Sequence, residues 1–374
     1  MKKSLIALAL MGAFSGAAFA QSNVTLYGIL DVNYMWQEGP TNVGTTAAPR
    51  IDQESVNSIN SGHQSGNRWG LRGTESLGGG MSAIFALESG FDLDRGTSGQ
   101  SNRLFGRQAY VGLSSGYGTL VAGRLATFSS GTGDFDMIGR IDPFLTGFGL
   151  AGAQNTFISM NATRVDNAIA YVTPTFSGFK AGIGYSTGIN GAEVAPSSNN
   201  VRATIAGANW TYGPFFAAIT YDVVNNVGSA PDQKHLQIGG TWDVGPVRLH
   251  AGWADQSDIA TLVTSTGGTN SFLTLPTGLQ GFDATSWLLG ATWTVTPAFK
   301  VFGSYQQFDA DSKAIPNTTR NFEPDYNVWG FGATYNLSRR TNLYASWASR
   351  DSDGTLVGNA ADSSQLAIGV RHLF

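Results

Sequence analysis

The chain ends on Gln365-Leu366-Ala367-Ile368-Gly369-Val370-Arg371-His372-Leu373-Phe374, and this stretch decides the fold. Leu366, Ile368, Val370, His372 and Phe374 share one parity; Gln365, Ala367, Gly369 and Arg371 share the other. Successive side chains of a β-strand point to opposite faces, so the segment is a strand with one largely apolar face and one small or polar face, closed by an aromatic residue. The alternation recurs upstream. In 235–242, Leu236, Ile238 and Trp242 oppose His235, Gln237 and Thr241; in 329–337, Trp329, Phe331, Ala333, Tyr335 and Leu337 oppose Gly330, Gly332, Thr334 and Asn336.

The connections say which way the apolar face turns. Tight reversals are expected at Leu77-Gly78-Gly79-Gly80, Ser115-Gly116-Tyr117-Gly118, Phe176-Ser177-Gly178, Tyr212-Gly213-Pro214, Val244-Gly245-Pro246, Thr296-Pro297-Ala298 and Leu337-Ser338-Arg339-Arg340. Between them lie longer polar segments at 37–66, 94–102, 127–163, 188–200, 227–233, 257–283, 310–325 and 352–363. The strands so separated number about sixteen. Short and long connections that alternate strictly fit a membrane barrel with one end in the periplasm and the other outside, whereas a soluble sandwich has no reason to sort its loops by length. The fold expected is all-β: a transmembrane antiparallel β-barrel with its apolar face outward.

The chain's start fits that route. Lys2 and Lys3, the apolar stretch Leu5 to Phe14 and the small-residue site Ala18-Phe19-Ala20 read as a secretory signal over 1–20, cleaved before Gln21. The apolar run is too short to cross a bilayer as a helix. Residues 21–374 then form one unit, with no linker. Charged residues are 13%, about half the share of a soluble domain, while aromatics reach 11% and glycines number 49, as suits a wall facing lipid. Without Lys2 and Lys3, 20 basic residues stand against 26 acidic, a net charge of −6. No basic face emerges, so nucleic acid is not an expected partner. Zero cysteines exclude disulfides and thiolate chemistry. At 16–18 strands the side chains of a barrel no longer fill its interior, which leaves an aqueous channel.

Val24-Thr25-Leu26-Tyr27-Gly28, Ser65-Gly66-Asn67-Arg68-Trp69-Gly70-Leu71-Arg72-Gly73-Thr74-Glu75, Arg107-Gln108-Ala109-Tyr110-Val111-Gly112-Leu113, Gly123-Arg124, Arg164-Val165-Asp166-Asn167 and the terminal Gly369-Val370-Arg371-His372-Leu373-Phe374 together resemble the general trimeric porins of Gram-negative outer membranes. The resemblance spans the mature chain. It implies a sixteen-stranded barrel, a homotrimer, location in the bacterial outer membrane, and passive diffusion of small hydrophilic solutes and ions. It also implies contact with outer-membrane lipid and lipopolysaccharide, and recognition by the barrel-assembly machinery through the C-terminal strand ending at Phe374.

In that family the third external loop folds into the lumen, its acids facing basic side chains on the wall. The matching loop is 127–163, the longest connection, with Asp134, Asp136, Arg140 and Asp142, and with six glycines between 131 and 152 to let it bend. The wall cluster matches Arg68, Arg72, Arg107, Arg124 and Arg164. Arg68 and Arg72 share parity opposite Trp69 and Leu71 and are expected to point into water; Arg164 shares parity with Asp166, opposite Ile169 and Tyr171. For Arg107 the pattern does not decide, because Ala109, Val111 and Leu113 share its parity, and its place rests on the resemblance.

Opposed charges across a narrow water column favour polar solutes that align with the field. Two charges about 8 Å apart interact by roughly 2 kcal/mol at an effective dielectric near 20. In the vestibules a Debye length of about 8 Å screens such effects, so selectivity is expected at the constriction. Where many relatives carry a Pro-Glu-Phe-Gly-like stretch, this chain reads Asp136-Met137-Ile138-Gly139-Arg140, a base in place of an acid. Weak anion preference is expected, with Arg140→Glu shifting it toward cations.

Two other readings compete. A substrate-specific channel would carry its specificity in the loops. An outer-membrane hydrolase would need a Ser and a carboxylate or amide beside a histidine on the lipid-facing wall; His63, His235, His250 and His372 are scattered, His235 has lumen parity, and no His-x-x-x-His spacing occurs. No enzyme, cofactor or metal is expected. Tyr34, Trp36, Tyr185, Trp210, Tyr212, Tyr221, Trp253, Trp287, Trp293, Tyr305 and Trp347 read as interfacial girdle residues.

Overall fold

The computed structural model describes residues 23–42, 51–156, 163–228, 230–260, 280–314, 321–322, 325–352 and 362–374. The expected signal, 1–20, and residues 157–162 of the long loop lie outside them. Sixteen antiparallel strands close into a barrel. These are β1 Asn23–Asn42, β2 in two halves Ile51–Ser61 and Arg68–Gly78, β3 Met81–Asp92, β4 Gln108–Ser115, β5 Gly118–Ala126, β6 Arg164–Val172, β7 Phe179–Ser186 and β8 Arg202–Tyr212. They continue as β9 Phe215–Asn225, β10 Gln233–Val244, β11 Val247–Ala260, β12 Gln280–Thr294, β13 Phe299–Ala310, β14 Tyr326–Asn336, β15 Thr341–Ser352 and β16 Ser363–Leu373. Each pairs with its neighbour in sequence, and the seam closes where β1 meets β16 from Ile29↔Leu373 to Glu38↔Ser364. No helix among the described residues is long and apolar enough to cross a membrane; the strands do so instead.

All seven tight reversals fall between strands, with two-residue turns where Gly213 (φ 54°) and Gly245 (φ 59°) occupy the left-handed region that a side chain resists. One expected loop is shorter than read. In place of a polar connection over 37–66, β1 and β2 stay paired from Gln37↔Val56 to Asn42↔Ile51, because a ladder is held by backbone groups whatever the side chains. The interruption of β2 comes later, at 62–67, where Gly62 takes φ 73°.

The outer wall carries the alternation seen in sequence: Leu366 is 45% and Ile368 62% exposed, while Gln365 and Ala367 on the opposite parity are buried. Aromatic rings stack along this surface, Trp210 on Tyr212 at 5.4 Å, and Tyr305 between Trp287 at 5.1 Å and Trp329 at 4.6 Å. Such rings suit the boundary between lipid and water.

The apolar core lies inside the barrel, between the wall and the loop 127–163. Phe128 and Met137 of the loop join Leu125, Val165, Ala170 and Ile205. Ile138, Ile141 and Ala153 join Phe216, Ala218, Ala254 and Leu288. Phe144, Phe148, Leu150 and Ala151 join Phe282, Phe302, Phe308, Val328 and Tyr344. The loop's apolar contacts therefore run round the wall from β5 to β15, polar contacts join it to β4 and β16, and a cavity remains beside the break in β2.

Candidate functional site

The loop is fixed at its far end by the break in β2. The Phe148 amide donates to the His63 carbonyl, and Leu150 N donates to Gln365 Oε1 at 2.9 Å. The Phe148 ring meets Tyr344 edge-on at 5.4 Å and Phe302 at 5.3 Å. Gly147 lies so close to Gln64 that an added Cβ would strike the Gln64 carbonyl. Between this loop and the opposite wall is a cavity of about 600 Å³, bordered by 131–133 and 145–147 on the loop and by the β2 break, Arg68, Arg107, Arg164 and Gln365 on the wall.

The guanidinium groups on that wall form a chain of contacts. Arg107 Nε donates to Glu88 Oε1 at 2.7 Å, and its Nη2 reaches Thr132 Oγ1 on the loop at 3.3 Å. Arg68 Nη1 lies 4.0 Å from the same Glu88 oxygen, and Tyr27 donates to the other at 3.0 Å. Arg164 Nε donates to the Arg107 carbonyl at 3.2 Å and feels the charges of Arg107, Arg124 and Arg68. Arg124 donates to Asp166, which also binds Arg103 at 2.7 and 2.8 Å. The structure thus gathers Arg68, Arg107, Arg124 and Arg164. Arg72 stands apart, 4.9 Å from the centre of the Tyr27 ring, in a separate cavity of about 350 Å³ with Tyr110 and Asp134.

The loop acids do not form an opposing row. Asp134 accepts from Tyr110 Oη at 2.7 Å, on the Arg72 side. Asp136 turns back on its own loop and accepts from Gly139 N at 2.9 Å and Ile138 N at 3.4 Å. Asp142 is fully buried and accepts from Phe144 N, Thr146 N and Ala153 N at 2.9, 2.7 and 3.0 Å, so it holds the loop in shape. Burial pushes the carboxyl groups of Asp136 and Asp142 up to about 6. Arg140 lies by Asp243 and Phe216, away from the wall cluster.

Sequence reasoning missed Glu88 and Arg103. Glu88 had a signal: a carboxylate opposite Leu87 in the middle of an apolar strand. Arg103 had none, because it reaches Asp166 from a loop. Phe374 sits at the seam, exchanging two backbone hydrogen bonds of 3.1 Å with Gly28 while its ring covers the space where a Cβ at that position would stand.

A closed barrel spanning a bilayer on strands, with an inward loop that narrows its lumen, defines a channel-forming outer-membrane protein of the porin class. The chain belongs to the Gram-negative porin family, whose sequence profile matches residues 6–355, and it is an outer-membrane porin. It is 37% identical to an outer membrane porin protein of Bordetella pertussis and 31% identical to outer membrane porin protein 32 of Delftia acidovorans, each over the full length of both chains. Its fold is similar to a solved anion-selective porin from Comamonas acidovorans, with a TM-score of 0.70 and 25% identity, covering 95% of this chain and 100% of that one.

Proposed function

We propose that the chain is a homotrimeric general diffusion channel for small hydrophilic solutes and ions, performing no chemistry on them, with a weak preference for anions set at the constriction by Arg68, Arg107, Arg124 and Arg164. One observation carries the reading. The open side of the lumen is lined by guanidinium groups, while Asp136 and Asp142 of the facing loop spend their charge on loop backbone. Around the opening, Arg68, Arg103, Arg107, Arg124 and Arg164 are offset by Glu88 and Asp166, an excess of three positive charges. At an effective dielectric near 20, each is worth roughly 2 kcal/mol on a unit charge about 8 Å away, before counter-ions screen it. The similarity to an anion-selective porin supports the same sign. On this reading Asp134, Arg72, Arg140 and Asp142 act around the constriction rather than across it, and Phe374 is the C-terminal signal read by the assembly machinery during insertion among lipid and lipopolysaccharide.

Purified protein added to a planar bilayer is expected to give stepwise conductance with closures in groups of three. Single, unlinked closures would refute the trimer. Saturating block by one solute would favour a substrate-specific channel, and hydrolysis of phospholipid by the detergent-solubilised protein would favour an enzyme.

A further inference from the structure

Arg140 lies outside the cluster of constriction arginines, yet the fold holds it in place by several contacts. It occupies the short turn Gly139–Ile141, which the wall grips from below. His250 Nδ1–H donates to the Ile141 carbonyl at 3.0 Å, its Nε2 pairs with Thr292 Oγ1 at 3.1 Å, and Ile141 is buried with Ala254 and Leu288. The Arg140 guanidinium lies 4.9 Å from the centre of the Phe216 ring, and its Nη2 is 3.7 Å from Asp243 Oδ2. Asp243 is already matched, since Arg248 grips both its oxygens at 2.6 and 2.9 Å. Arg140 is therefore the excess charge of the trio, and its Nε is buried with no hydrogen-bond partner among the described residues.

Phe216, Asp243 and Arg248 all flank the two-residue turns at 213–214 and 245–246, at the short-turn end that in such barrels faces the periplasm. The three charged side chains are 36, 35 and 37% exposed, open to solvent in the vestibule below the loop. The constriction arginines lie on the other wall, on β2, β5, β6 and the residue before β4.

We propose that Arg140 and Arg248 form a second anion station at the periplasmic exit, taking a small oxyanion such as phosphate or sulfate after it clears the constriction. The proposal rests on the anion-preferring channel reading and adds a site to it. A guanidinium fork suits an oxyanion's paired oxygens, and a pinned turn spares the side chain much of its ordering cost. Asp243 beside the station keeps the hold weak enough for release, as conduction through successive sites requires.

The test is anomalous diffraction from crystals of the full-length, detergent-solubilised protein grown in selenate. A selenate peak within hydrogen-bond reach of Arg140 is expected, and Arg140→Gln should remove it while leaving any peak at Arg68 and Arg107. Selenate at the constriction alone in the unaltered protein, or an exit peak that survives Arg140→Gln, would overturn the proposal. Should that variant not crystallise, phosphate added on the periplasmic side of a bilayer gives a second readout: its blocking concentration is expected to rise about five-fold in Arg140→Gln. Equal block in both proteins would count against the station. Absence of conductance altogether would instead defeat the channel reading beneath it.

Discussion

The two halves of the inner wall are built to different rules. From β5 round to β15 the lumen face carries the apolar side chains Val165, Ile205, Phe216, Phe302, Phe308 and Val328 among buried polar ones such as Gln237, Gln256 and Gln306, and it is covered by the loop. From β1 to β4, with β16, it is richer in polar groups, carrying Asp31, Asn33, Asn67, Glu88, Gln108 and Gln365, of which Asn67 and Gln365 border the cavity together with Arg68, Arg107 and Arg164. One half packs the loop against the wall; the other borders the cavity. Barrel closure alone would give a wide bore, and it is the apolar half that places the loop where the basic half can act across a narrow gap.

Charge reversal on the polar half should have the largest effect. With Arg68→Glu and Arg107→Glu together, the excess of positive charge becomes an excess of negative, and the reversal potential in a salt gradient should change sign toward cations. Retained anion preference would move the selectivity filter elsewhere. Next comes the apolar half. Phe144→Ala with Phe148→Ala removes two buried rings, each worth about 3–5 kcal/mol, so the loop should leave the wall and the conductance step should grow and become noisy. An unchanged quiet step would mean the packing does not hold the loop.

A smaller effect concerns protons inside the loop. Asp136 and Asp142 have pKa values pushed up from the ordinary 3.8 to about 6 by burial. A folded-state value above the unfolded one means that stability is complete below about pH 4 and declines as pH rises through about 6, on the order of 2 kcal/mol for each group. Thermal melts of the solubilised protein between pH 4 and 7.5 should show this slope, and Asp136→Asn with Asp142→Asn should flatten it. An equal slope in the variant would assign the titration to other groups. The smallest expected effect is that of Arg140→Glu on the reversal potential. The residue lies beside Asp243 and not on the constriction wall, so only a slight shift toward cations is expected.

The sequence displayed these two halves unequally. Alternation and the glycine- and proline-marked turns made the barrel legible, because a strand facing lipid on one side must repeat with period two. Arg68 and Arg164 were legible by parity, whereas Arg107 was not: it sits just before β4, outside the alternation, and is drawn inward by Glu88. The loop packing was the least legible part. Asp136 and Asp142 were expected to face the wall arginines, since nothing local says that a carboxylate such as Asp142 will accept three backbone N–H groups of its own loop. A signal did exist in Phe215-Phe216 and Val301-Phe302, adjacent apolar pairs that break the alternation because one member of each packs under the loop while the other stands on the outer wall.

The most direct test of this division is the reversal potential of the unaltered protein across a potassium chloride gradient, compared with Arg68→Gln and Arg107→Gln combined. A potential on the anion side is expected for the first and one moved toward zero for the second. A cation-side potential in the unaltered channel, or an identical value in both, would contradict a constriction governed by its arginines.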